Sequence, residues 1–243
     1  MKDGNQRDFA AVAEELVFLR LLHLADSALP IGGLAHSFGL ETLASAGMLD
    51  VSDLADFLRG HLQEAGMLEA VACREAYRLL ATDDTDLLAA RWVEINDYLS
   101  AMKCARESRA ASASLGRNFL QAVLRLGDFP ALRETWDASL AAKSQIHHAA
   151  AFGLVSATFN LPETLAVQAF LNQSTASLVS AYQRLLPLGQ TEATHILWNL
   201  KPVIAEVSAA SATHTLQEVS CFMPLLDWGA MEHPALSTRL FVS

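Results

Sequence analysis

Apolar residues recur at spacings of three and four through window after window of this chain, and runs that alternate apolar with polar between turn residues are missing. That periodicity lays an apolar stripe along a helix and leaves nothing to pair as a half-buried strand. The sequence therefore predicts an all-α fold, an orthogonal helical bundle of about eight to ten helices followed by an extended C-terminal tail. A first helix is predicted over residues 9–25, with Val12, Leu16, Leu19 and Leu22 or His23 on one stripe and Glu14 and Arg20 off it. Leu29-Pro30 and the Gly32-Gly33 pair end it. Ser37 is expected to cap a short helix that stops near Gly47, and Ser52 to cap the next. Further helices are expected over residues 53–80, 84–125, 131–159, 162–186 and 190–218. Gly116 marks the expected break in the second of these and Pro202 a kink or restart in the last, while Pro162 suits a first turn.

No stretch rich in Gly, Ser or Pro separates these segments and no fixed-period repeat is visible, so residues 1–243 read as one domain. A chain of this size buries roughly 70–75 % of its surface on folding, enough for a sizeable core. Hydrophobic residues at 52 % against charged residues at 18 % exclude a disordered chain. Mean hydropathy is positive, yet the longest apolar stretches, such as residues 149–155, fall far short of the roughly 20 residues of a membrane-spanning helix. Residues 1–8 are polar and mixed in charge, are expected to be flexible, and show no secretion signal. Three widely separated cysteines, Cys73, Cys104 and Cys221, make neither a disulfide framework nor a zinc motif and fit a cytoplasmic protein. A net charge of -10 with no basic stripe argues against nucleic-acid binding.

Enzyme signatures fail one by one. Ala35-His36-Ser37-Phe38-Gly39 lacks the glycine two residues before the serine and the strand that a nucleophile elbow needs. Neither a phosphate-binding loop of the GxxxxGK[ST] type nor a GxGxxG turn is present. Of eight histidines few share a face: His147 and His148 are adjacent and point about 100° apart on a helix. Glu192 with His195, and Met231-Glu232-His233, offer at most two ligands each, so no metal site, cofactor or catalytic residue is assigned. Asp83, Asp84 and Asp86 read as a loop and helix cap, and Glu41 as a capping or surface acid. Residues 220–243 change character: Pro224, Gly229 and Pro234 interrupt a segment that still carries Phe222, Met223, Leu225, Leu226, Trp228, Leu236, Leu240 and Phe241. Such a tail either folds back over its own domain or orders on a partner.

Five runs, met in order, carry a resemblance. Residues 22–41 hold a leucine-rich helix, an Ala-Leu-Pro turn, a Gly-Gly pair and a Ser-x-Gly-Leu-Glu run; Arg106-Glu107-Ser108-Arg109 follows, with Ser114 and Gly116; then come residues 147–153, residues 184–190 and the terminal residues 239–243. From about residue 21 onward the chain resembles the urease accessory protein F family. Residues 1–8 match nothing in it, and Tyr182-Gln183 stands where small or apolar residues are expected.

The resemblance implies an all-helical, usually homodimeric cytoplasmic scaffold without catalytic machinery, a nickel-insertion chaperone in urease maturation. Its implied partners are the urease accessory protein D (H in some organisms), the GTPase accessory protein G and, through the complex, the urease apoprotein. Gly33, His36, Ser37 and Glu41 match the first signature and are implied at the dimer and GTPase-facing surface. Arg184 and Gln190 match the fourth run, and Arg239, Leu240 and Phe241 the terminal motif, which implies docking of the 220–243 tail on the D/H partner. Arg106, Arg109 and Arg184 are the candidates for an arginine acting in trans on the GTPase. On the residues alone, a generic helical interaction module and a helical metal-dependent hydrolase stay open as alternatives.

Overall fold

A computed structural model describes residues 15–82 and 84–242. Every regular element among them is helical: α1 over residues 15–24, α2 Leu40–Ser45, α3 Leu54–His61, α4 Met67–Arg78, α5 Thr85–Met102, α6 Arg106–Leu124, α7 Pro130–Ala142, α8 His148–Thr158, α9 Glu163–Leu185, α10 Gln190–Asn199, α11 Lys201–Ala210 and α12 Pro224–Glu232. Short 3₁₀ turns flank several of them, and one π-turn, Leu62–Gly66, joins α3 to α4 without interrupting the rod. The expectations for residues 1–8, for residues 9–14 of the first helix with Val12 and Glu14, for Asp83 and for the last residue of the terminal motif, Ser243, lie outside the described residues.

Helix α8 is apolar on all sides, and that sequence dictates its place. Residues 148–156 are all buried, with α4, α6, α7 and α9 packed around it. Two glycines allow the close approach. A Cβ on Gly116 of α6 would stand 2.2 Å from the Ile146 carbonyl oxygen, and one on Gly153 would stand 2.0 Å from the Cys73 carbonyl oxygen of α4. Phe119, Phe152 and Phe170 fill the space beside it, with ring centroids 5.5 and 5.6 Å apart along the series. The buried apolar side chains form one continuous cluster running from Leu24 to Leu226.

The helix breaks differ from the expectation in instructive ways. Gly116 does not interrupt its helix; the break comes earlier, at residues 103–105, where Lys103 leaves helical geometry and its carbonyl accepts a 2.6 Å hydrogen bond from Arg109 Nη1. The expected 131–159 helix divides at Lys143, which takes a left-handed φ of 56°. Asn96 bridges that gap: its Oδ1 accepts from the His147 amide at 2.7 Å while its Nδ2 donates to the Trp92 carbonyl at 2.9 Å. Pro202 restarts the chain as α11, as the missing proline amide requires. Ser52 does not cap α3; its hydroxyl donates to Asp50 Oδ1 at 2.6 Å and Asp53 holds the cap position. Asp84 caps α5 through a 3.0 Å bond from the Leu87 amide, in line with the loop-and-cap reading. One buried cation ties three helices together: Arg74 of α4, 3 % exposed, donates to Glu163 at the start of α9 and to Ser208 and Ser211 at the end of α11.

Candidate functional site

The turn between α1 and α2 is shaped by its glycines and then pinned from the far end of the chain. Gly32 and Gly39 take φ of 93° and 90°, and Phe38 between them a left-handed 52°. Gly39 also sits against α12 at backbone distance, since a Cβ there would lie 2.7 Å from the Leu226 carbonyl oxygen and 2.9 Å from the Ala230 nitrogen. Gly229 mirrors it across the crossing, 2.7 Å from the Gly39 carbonyl by the same measure. This crossing carries α12 onto α2 and brings the C-terminal residues to Glu41.

Glu41 is 5 % exposed, neither the surface acid nor the cap that its sequence position indicates. Its Oε1 accepts from the Leu240 amide at 2.6 Å, and its Oε2 from the Phe241 amide at 3.2 Å. His233 Nε2 lies 2.8 Å from the same Oε2, and His233 Nδ1 lies 3.0 Å from Glu107 Oε2 on α6. Both nitrogens of this fully buried ring therefore face carboxylate oxygens, one from α2 and one from α6. Phe241 is 4 % exposed, covered by the Arg184 guanidinium 4.0 Å from its ring centroid. Arg184 also donates to the Leu34 carbonyl, and the Val242 amide to the Ala35 carbonyl at 2.9 Å.

The residues singled out in the sequence divide into two groups. Glu41, Arg184, Leu240 and Phe241 meet in this clasp. Ser37 lies under the same turn, fully buried, and does not cap α2, whose N-cap is Gly39. His36 is half-buried, and its burial lowers its pKa. Gly33 opens a 3₁₀ turn with a free Cβ position beside it. Arg239 and Leu240 turn their side chains to solvent, and Gln190 starts α10, exposed, without a described bond to the clasp. The tail is therefore not extended: it holds α12 and a 3₁₀ turn and folds back on its own chain. Of the three arginines considered for action in trans, Arg109 is bonded to Lys103 and Arg184 to the clasp, leaving Arg106 exposed at the start of α6.

The contact of His233 with Glu107 and Glu41 is the part of this candidate site that the sequence does not reveal. Each belongs to a run that was singled out, but a contact spanning residues 107 and 233 leaves no periodic mark. Beside the turn lies a cavity of about 130 Å³ lined by Gly33, His61, Glu69, Lys103, His148 and Cys221 among others. Burial lowers the pKa of His61 and of His148, the latter to about 4, while Lys103 closes on Glu69 at 2.7 Å. No group of three His, Cys, Asp or Glu among the described residues is arranged to hold a metal ion. No helix among them is long and apolar enough to cross a membrane.

The fold and site define an all-helical protein whose terminal segment closes on one buried carboxylate of its first turn. Residues 48–201 match the family described as UreF. The chain is 32 % identical over 228 residues to the urease accessory protein UreF of Nostoc sp., covering 93 % of this chain and 96 % of that one. It is 31 % identical to the protein of the same name from Lachnoclostridium phytofermentans, over 93 % and 98 % of the two chains. The protein so named from Rhodopseudomonas palustris is 29 % identical and aligned over the full length of both. The chain belongs to the UreF family of urease accessory proteins, which are accessory proteins and not enzymes.

Proposed function

We propose that this chain acts in urease maturation as a bridge, joining the accessory protein D/H to the GTPase accessory protein G and assisting GTP-dependent delivery of nickel to the urease apoprotein. It works in the cytoplasm, as a homodimer, and by binding alone. The GTPase is biased only through unequal affinity for its nucleotide states, because a partner that binds both states equally shifts nothing. Of the three candidate arginines, Arg106 is exposed at the start of α6, whereas Arg109 and Arg184 are held by their own chain.

One observation carries the reading. The C-terminal stretch leaves Phe222, Leu225, Trp228, Met231 and Leu240 between 41 % and 76 % exposed, an apolar content out of keeping with a finished surface. Aromatic and apolar side chains of this kind, with an arginine among them, are the composition of a protein–protein interface core. Gly33, His36 and Glu41 at the turn, Gln190 at the start of α10 and Arg239 in the terminal motif are the contact and positioning residues of this proposal. The test is the nickel content of urease purified from cells whose only copy of this protein is wild type or Arg239→Ala. Full nickel loading with wild type and a several-fold loss with the variant is the expected result; equal loading contradicts a docking role for the terminal motif.

A further inference from the structure

We infer that Glu41 is the positioning residue of the docking segment: with His233 it fixes the backbone at Leu240 and Phe241, so that Phe241 anchors inward while Arg239, Leu240 and Val242 face a partner protein. The partner chemistry that fits is an apolar patch with a carboxylate for Arg239. The inference deepens the bridging reading and, in its outward half, rests on it.

The geometry is that of a grip on main chain, not on side chains. One carboxylate takes two consecutive amides, Leu240 at 2.6 Å on Oε1 and Phe241 at 3.2 Å on Oε2, which sets the path of the main chain there while the Phe241 side chain anchors it. The grip is itself oriented, because His233 holds Oε2 at 2.8 Å and is held in turn by Glu107 at 3.0 Å. Among the described residues, His233 is the one side chain that contacts both carboxylates, Glu41 and Glu107. A third main-chain bond, from Val242 to Ala35 at 2.9 Å, continues the same path.

Across residues 240–242 the side chains alternate as they do along an extended peptide, and Arg239, ahead of the grip, is exposed. Phe241 is 4 % exposed beneath Arg184, while its neighbours Leu240 and Val242 are 65 % and 69 % exposed. Among the described residues no helix holds the chain beyond the 3₁₀ turn His233–Ala235, so the path of residues 240–242 rests on the Glu41 grip, the Val242 bond to Ala35 and the Phe241 anchor. A segment already ordered binds more tightly than one that must be ordered on contact. Glu41 thereby acts on a partner that it does not touch.

The test combines hydrogen exchange of the full-length chain with its affinity for purified D/H accessory protein. Three variants are compared with wild type: Glu41→Gln, which sets an amide NH₂ against a donor; Phe241→Ala, which removes the anchor without touching the helices; and Arg239→Ala, which leaves the grip intact. Helix content by circular dichroism checks that each has folded, and Phe241→Ala carries the test if Glu41→Gln does not fold. The expected result is exchange across residues 238–242 faster on the order of tenfold, with affinity for the D/H protein lower on the order of tenfold, in Glu41→Gln and Phe241→Ala. Arg239→Ala keeps the protection and loses affinity. Unchanged exchange in both grip variants overturns the inference. Faster exchange with unchanged or higher affinity overturns the presenting role, since the clasp would then compete with the partner. If wild type itself ignores the folded D/H protein, the bridging reading fails, while the inward half is still decided by the exchange data.

Discussion

Gly33 and Gly39 belong to one signature and do different work. Gly39 combines a φ of 90° with a Cβ position 2.7 Å from a backbone carbonyl, so Gly39→Ala meets both torsional strain and overpacking against α12. Those two costs together come to roughly 2–5 kcal/mol. Gly33 has neither problem, and Gly33→Ala is expected to stay within about 0.5 kcal/mol of wild type. Chemical denaturation of the two variants checks the contrast; equal losses would mean that α12 does not cross α2 at this point. The glycines themselves were legible as turn residues, because a Gly-rich run between apolar segments has few other meanings. Which of them faces a distant helix was not, since that depends on residues 226–230, far along the chain. Glu41 was misread for the same reason: in sequence it is one acid after a glycine, and only the fold supplies the His233 and amide donors that permit its burial.

At the scale of elements, the expected helices are nearly all present and their interruptions are what moved. Proline and strong periodicity announced α9 and the restart at α11. The breaks at residues 103–105 and at Lys143 are held by single polar contacts, the Lys103 carbonyl with Arg109 and the His147 amide with Asn96, which have no compositional signature. The packing of α8 gives a sharp prediction. Gly153→Ala drives a methyl group to 2.0 Å from the Cys73 carbonyl oxygen, so α4 and α8 must separate and stability falls by more than about 3 kcal/mol. Each kcal/mol lowers the melting midpoint of a domain this size by about 2–4 °C. A midpoint within a degree of wild type would contradict the close crossing.

The same helix start predicts a pH dependence. Burial holds His147 and His148 neutral, with pKa lowered from 6.5 to about 3 and about 4. Below about pH 6.5 the unfolded chain takes up protons that the folded chain refuses, so stability present at pH 7 is lost as pH falls toward 4. Each imidazole contributes up to about 1.4 kcal/mol per pH unit in that window. Denaturation midpoints at pH 7.5, 6 and 5 should fall in that order, and His148→Met, which has nothing to titrate there, should flatten the profile. A flat wild-type profile would mean that these rings are not buried as described.

Taken whole, the chain spends its apolar content twice, on one continuous core and on a C-terminal stretch that is half anchored and half exposed. The sequence left open whether that stretch folds back or docks outward. It folds back through Leu226, Ala230, His233 and Phe241, and Trp228, Leu225 and Leu240 stay exposed beside them. Removing everything after Ser220 therefore strips α12 from α2 and is expected to destabilise the body, whereas a stop after Ser237 removes the terminal motif and leaves α12 in place. The class of fold was readable from periodicity, and the family from motifs in order; how those motifs converge was not, because Glu41 and Phe241 stand at opposite ends of the chain.

The proposed bridge holds two partners at once. Size-exclusion chromatography with light scattering, on this chain co-expressed with the D/H protein and the GTPase, tests it most directly when wild type is compared with Arg239→Ala and with the chain ending at Ser237. A ternary peak is expected for wild type, with the D/H protein lost from it in both variants while each variant stays folded. A wild-type chain that elutes apart from both folded partners, or variants that retain the full ternary mass, would contradict it.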